Sequence, residues 1–161
     1  MNRSHELILL TAVLIFSSFY FYDDYFYRRY IPEEIELGHR ISITTESGVF
    51  EGCGTAVYLL NEETAREIES EGLVFFENLH SVNRDSGTNS KWESWLATPR
   101  ENWTRLENWQ YELNCGGEIE ANLFNRIVAG STTKGAYYSL RDGAVLMVLP
   151  KQKMVVFSYR S

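Results

Sequence analysis

Residues 136–159, AYYSLRDGAVLMVLPKQKMVVFSY, decide the fold. Three apolar runs, 136–140, 144–149 and 154–159, are separated by Arg141-Asp142-Gly143 and by the polar stretch 150–153. An Asp-Gly pair between such runs is a hairpin signal, because a two-residue turn needs residues that tolerate positive φ. The stretch therefore predicts an antiparallel three-stranded meander. Its middle run, VLMVL at 145–149, does not alternate, and a strand that is apolar on both sides is covered on both faces. That strand belongs at the centre of a sheet.

Working toward the amino terminus, residues 118–129 carry Ile119, Leu123 and Ile127 four apart, with Phe124 and Val128 beside them. This is the spacing of an amphipathic helix, closed by Gly130. Residues 62–71, EETAREIESE, predict a second helix. Asn61 stands at its cap, glutamates fill its first turn, and Gly72 ends it. Before it lie two strand candidates, RISITT at 40–45 and TAVYLL at 55–60. Residues 73–76 read as a short strand or a core-facing extension. The expected fold class is α+β, a small antiparallel sheet with two main helices packed on it.

The other organising stretch is 7–22, LILLTAVLIFSSFYFY, followed at once by DDYFYRRY. Sixteen uncharged residues make a helix of roughly 24 Å, short of the ~30 Å hydrocarbon core. The aromatic cluster that follows extends the reach, because Tyr and Phe favour the headgroup layer. On this reading a transmembrane signal-anchor spans 1–30, with Tyr20, Tyr22, Tyr25, Tyr27 and Tyr30 at the membrane interface and the bilayer as a partner of residues 7–22. A cleaved signal peptide fits less well, since the only small pair, Ser17-Ser18, precedes bulky aromatics. Residues 31–39 read as an acidic linker and 40–161 as one extracytoplasmic domain. Arg28 and Arg29 after the run, against Arg3 before it, oppose that orientation by charge, while the cysteines favour it.

The chain has 161 residues and a formal net charge of −7. An acidic body gains nothing from counterion release on a phosphate backbone, which argues against nucleic acid as a partner. Two cysteines, Cys53 and Cys115, each beside glycine, form a candidate disulfide closing a loop of about 60 residues.

Candidate chemistry is sparse. Ser131-Thr132-Thr133-Lys134 resembles the serine–lysine tetrapeptide of penicillin-binding proteins and β-lactamases, without a downstream Lys-Thr-Gly or Ser-Asp-Asn. Cys53, with His80 as base, is similar to a papain-like nucleophile, a reading that a disulfide at Cys53 abolishes. Three scattered histidines offer no metal site, and no motif calls for a cofactor. All four tryptophans fall within 18 residues, in a polar setting. Trp supplies large contact area with one donor, so Trp92, Trp95 and Trp103, with Arg100 and Arg105, are the expected partner-binding surface. The functional expectation is a non-catalytic, membrane-anchored protein-binding module, an envelope-complex accessory subunit or an immunity-type protein. The alternative is a small envelope hydrolase using Cys53/His80 or Ser131/Lys134.

Overall fold

A computed structural model describes residues 3–47, 52–77, 79, 92–100, 108, 112–115, 117–141 and 143–160. Helix α1 (Arg3–Arg28) leads into strand β1 (Leu37–Ser47), which pairs with β2 (Gly52–Leu60). Helices α2 (Glu62–Glu71) and α3 (Leu73–Glu77) follow, then the two-residue strand β3 (Leu96–Ala97). Helix α4 (Ala121–Ser131) precedes the meander β4 (Tyr137–Arg141), β5 (Ala144–Leu149) and β6 (Met154–Arg160). A 3-10 turn, Pro150–Gln152, links the last two strands.

The six strands form one antiparallel sheet in the order β1-β2-β6-β5-β4-β3. The expected meander is its centre, and β2 completes β6 on the far side. Alternation along β2, β5 and β6 splits the core between the two faces. Ala56, Tyr58, Leu60, Leu146, Val148, Val155 and Phe157 meet Tyr27, Ile31 and Ile35, together with Ala65 and Ile68 of α2 and Phe75 and Phe76 of α3. Val57, Val145, Met147, Leu149, Met154 and Val156 meet Leu113, Ile119 and the apolar side of α4. The non-alternating strand is thus covered on both sides, as its composition requires.

The caps behave as their residues dictate. Asn61 Oδ1 accepts from the backbone N–H of Glu63 at 2.7 Å and of Thr64 at 3.4 Å. Gly72 ends α2 at φ 66°. Glu120 does the same for α4, accepting from Asn122 and Leu123. Residues 73–76, expected as a strand or a core-facing extension, lie instead in the short helix α3 that turns Phe75 and Phe76 inward.

The expectation of a transmembrane helix is corrected. No helix among the described residues is long and apolar enough to cross a membrane. The reason lies in how α1 divides. Its uncharged run stops before Asp23, and of the aromatics that should have lengthened it Phe26, Tyr27 and Tyr30 are built into the domain, while Phe21, Tyr22 and Tyr25 stay exposed. Tyr27 is 1% exposed, and Phe26 and Tyr30 pack beside it against the sheet. Ile31 and Ile35, in the stretch read as an acidic linker, lie in the same cluster. Further toward the amino terminus α1 has no such cover, and Ile8, Leu9, Leu10, Val13 and Leu14 are 55–69% exposed.

The carboxyl end of α1 is bolted to the sheet by polar contacts as well. Arg28 Nε donates to Asp24 Oδ2 at 2.8 Å, its terminal nitrogen donates to the Gly38 carbonyl at 2.7 Å, and its guanidinium lies over the Tyr58 ring. Tyr27 reaches over Gly54 to donate to the Thr44 carbonyl.

Candidate functional site

Two regions gather polar and aromatic groups that the core does not require. The first is a groove of about 340 Å³ where strands β4, β5 and β6 end, lined by Glu93, Arg100, Glu112, Arg141 and Arg160 among others. Its walls are fixed by backbone contacts. The Glu93 N–H donates to the Leu140 carbonyl at 2.9 Å, and Ser139 Oγ donates to the Glu93 carbonyl at 2.7 Å. On the other wall Ser158 Oγ donates to the Glu112 carbonyl at 2.6 Å. The single Ser158 proton is thereby committed, so the 2.8 Å contact with Thr55 Oγ1 has Thr55 as donor. Arg100 lies over the Tyr138 ring, and burial pulls its guanidinium pKa down while Tyr138, Glu112 and Glu93 oppose that shift.

The Glu112 wall is also held covalently. Cys53 of β2 and Cys115 stand at disulfide distance with Cα atoms 5.7 Å apart, and the Cys115 carbonyl accepts from Thr44 Oγ1 at 3.3 Å. The bridge ties residues 112–115 to the outer strands of the sheet.

The second region surrounds Tyr30 at the end of α1. Tyr30 stacks on Phe157 with ring centroids 5.3 Å apart and planes 4° from parallel. The Arg29 guanidinium carbon is 5.0 Å from the Tyr30 centroid and 4.8 Å from that of Phe26, and Arg141 stands 5.9 Å from Tyr30. Arg29 also donates to the Tyr30 hydroxyl at 2.9 Å.

No protein-family model, curated protein or solved structure matches this chain. Residue geometry therefore carries the functional reading.

The residues expected at a partner surface are distributed unequally. Trp92 is half-buried, and its Nε1 donates to the Tyr30 carbonyl at 3.1 Å while its ring meets Phe157 edge-on. Trp95 stacks on Phe76 at 4.2 Å. Trp92 thus holds the 92–97 segment to the sheet and Trp95 holds it to α3. Arg100 is in the groove, whereas Trp103 and Arg105 lie outside the described residues. Of the tyrosines expected at a membrane interface, Tyr22 and Tyr25 are exposed, Tyr27 is core and Tyr30 is stacked. Nothing is described of the Tyr20 side chain.

The two nucleophile candidates are differently placed. Cys53 is joined to Cys115, which leaves no thiolate there, and His80 lies outside the described residues. Ser131 is 1% exposed and donates to the Ile127 carbonyl at 2.8 Å, the ordinary back-bond of a helical serine. Lys134 follows the helix end rather than lying one turn along it. Among the described residues no group of three or more His, Cys, Asp or Glu converges as a metal site needs.

Sequence reasoning missed Arg29, Arg141, Arg160, Glu93 and Glu112. Arg28-Arg29 was visible as a charge pair beside aromatics. The others converge only through strand pairing, which leaves no local signal.

Proposed function

We propose that the protein is a non-catalytic binding module, held at a lipid bilayer by residues 7–22 and exported to an oxidising compartment, where its domain engages a protein partner. The observation that carries this reading is the division of α1. A soluble helix hides an apolar stripe against a core, yet Ile8, Leu9, Leu10, Val13 and Leu14 are exposed on a helix whose far end is locked into the domain. Lipid acyl chains are the natural cover for such a run. The cysteine pair supports an oxidising location. The Arg100 groove offers mixed charge and about 340 Å³ for contacts from a partner.

The test is flotation of the full chain with neutral phosphatidylcholine vesicles. Wild type is expected in the floating fraction, and Leu9→Asp/Leu14→Asp is expected to stay below while retaining a native circular dichroism spectrum. Wild type that stays below overturns the lipid reading. For the partner, a photo-reactive residue at Glu93 is expected to give a discrete adduct in the producing cell, and no adduct there overturns the groove as the contact surface.

A further inference from the structure

The adjacent arginines at the end of α1 have separate environments. Arg28 is satisfied by Asp24, by the Gly38 carbonyl and by the Tyr58 ring. Arg29 meets no carboxylate among the described residues. Its Nε is buried without a hydrogen-bond acceptor, and the group is held by the Phe26 and Tyr30 rings and by one bond to the Tyr30 hydroxyl. Arg141 comes to the same Tyr30 ring from the β4–β5 hairpin, again without an ion pair among the described residues. Two cations are thus gathered by aromatic rings in a chain of net charge −7.

Their position says which anion. The Arg29 N–H still donates to the Tyr25 carbonyl at 3.3 Å, so helical geometry reaches it. Tyr22, Tyr25 and Arg29, spaced three and four apart, form one stripe, and the two tyrosines are 67% and 68% exposed. Arg29 follows the last residue of the apolar run, Tyr22, by about 10 Å along the axis, within snorkelling reach of a headgroup layer. Asp23 lies roughly 120° round the helix from Arg29, and Asp24 is bonded to Arg28. The hollow of about 280 Å³ beside Tyr25 and Arg29 has Glu33 as its acidic residue.

We propose that Arg29 and Arg141 form a binding site for the phosphate of an anionic lipid headgroup at the foot of the exposed helix. The guanidinium plane matches phosphate oxygens in pairs, and stacking on Phe26 and Tyr30 pre-orders it. Exposed Phe21, Tyr22 and Tyr25 sit at the interface level beside it. The inference rests on the proposed lipid contact of residues 7–22, and the two fail differently.

The full chain is floated with vesicles of phosphatidylcholine alone and of phosphatidylcholine containing phosphatidylglycerol. Each arginine near an anionic surface contributes roughly fivefold in partition, so the wild type is expected to favour the anionic vesicles by roughly twenty- to thirtyfold at low salt. High salt removes most of that preference. Arg29→Gln/Arg141→Gln abolishes it, and Arg29→Lys/Arg141→Lys, which keeps the charge but not the planar fork stacked on Phe26 and Tyr30, keeps only part of it; full preference in the lysine variant overturns the guanidinium site. Should the glutamine variant misfold, the lysine variant and the wild-type salt dependence still decide. Equal partition of wild type onto both vesicles overturns the headgroup site and leaves the lipid contact standing. Full preference in the glutamine variant also overturns the site. Failure to float with either vesicle overturns both proposals.

Discussion

Replacing Gly54 by alanine tests whether α1 is truly locked to the sheet. A Cβ at this position falls 2.8 Å from the Thr44 carbonyl oxygen and 3.2 Å from Tyr27 Cζ, and it overlaps the Tyr27 hydroxyl outright. The hydroxyl is the end of a side chain, but that side chain is 1% exposed and packed against Phe26, Phe157 and Tyr159. The Thr44 oxygen is backbone in a paired strand, where Thr44 faces Thr55. Neither neighbour can give way cheaply. Overpacking of this kind costs about 1–3 kcal/mol, and displacing Tyr27 forfeits its hydrogen bond to Thr44, worth about another 1 kcal/mol. Gly54→Ala is therefore expected to destabilise by about 2–4 kcal/mol. For a chain of this size that lowers Tm by roughly 5–15 °C, read by circular dichroism at 222 nm.

Tyr27→Phe supplies the decisive comparison. It removes the colliding oxygen and leaves the Thr44 contact, so in that background the same alanine is expected to cost only about 1–2 kcal/mol. The coupling in the double-mutant cycle is then at least about 1 kcal/mol. Equal costs in the two backgrounds would refute the reasoning, because the alanine would be acting through the strand alone. So would a cost below about 0.5 kcal/mol, which would mean that α1 does not rest on Gly54 at all.

Three other perturbations follow from the same packing. Removing the bridge by Cys53→Ser/Cys115→Ser opens a loop with a sequence separation of 62 and is expected to cost about 4 kcal/mol in urea unfolding; a loss below about 1 kcal/mol would rule out loop closure as its main contribution. Burial pushes the Tyr27 phenol up to about 12, so between pH 10 and 12 the folded state holds a proton that the unfolded state releases; stability is full below pH 10 and falls by up to about 3 kcal/mol through that window, a decline that Tyr27→Phe makes shallower in a pH series of thermal melts. Tyr58, also raised chiefly by burial, continues the decline in that variant, and a flat wild-type profile to pH 12 would contradict both burials. Trp95→Ala deletes the ring stacked on Phe76 and is expected to destabilise by about 2–4 kcal/mol, with unchanged thermal stability as the contrary outcome.

Much of the fold was legible because its signals are local. The 145–149 run announced a strand covered on both faces, and the Asp142-Gly143 pair announced the turn, where Gly143 indeed takes φ 65°. Asn61 and Gly72 marked the ends of α2 because a cap is chemistry between neighbours. The division of α1 was not legible. Tyr and Phe are equally suited to a headgroup layer and to a protein core, so residues 19–30 carry the same composition under either use. What decides is Gly54, 27 positions beyond Tyr27, whose missing side chain admits the Tyr27 hydroxyl. Tryptophan has the same ambiguity. Trp92 and Trp95 sit in a polar stretch and still serve the core, because Trp92 meets Phe157 edge-on and Trp95 stacks on Phe76 while Glu93 and Ser94 between them are exposed.

The division of α1 also bears on how the two candidate regions work together. A disordered tether would leave the domain free to tumble at a surface, whereas α1 runs as helix from Arg3 to Arg28 with its last turns fastened by Arg28 to Gly38, by Tyr27 to Thr44 and by the Tyr58 hydroxyl to the Asp24 carbonyl. An exposed helix so fastened gives the domain a defined attitude to whatever covers it. Arg141 belongs to both regions, its guanidinium against Tyr30 and its residue on the edge of the groove that holds Arg100 and Arg160. The short β4–β5 turn thus joins the proposed headgroup site to the proposed partner groove. On the proposed reading, a partner docking there would meet a surface whose distance from the lipid is set by the length of one hairpin rather than by a flexible linker.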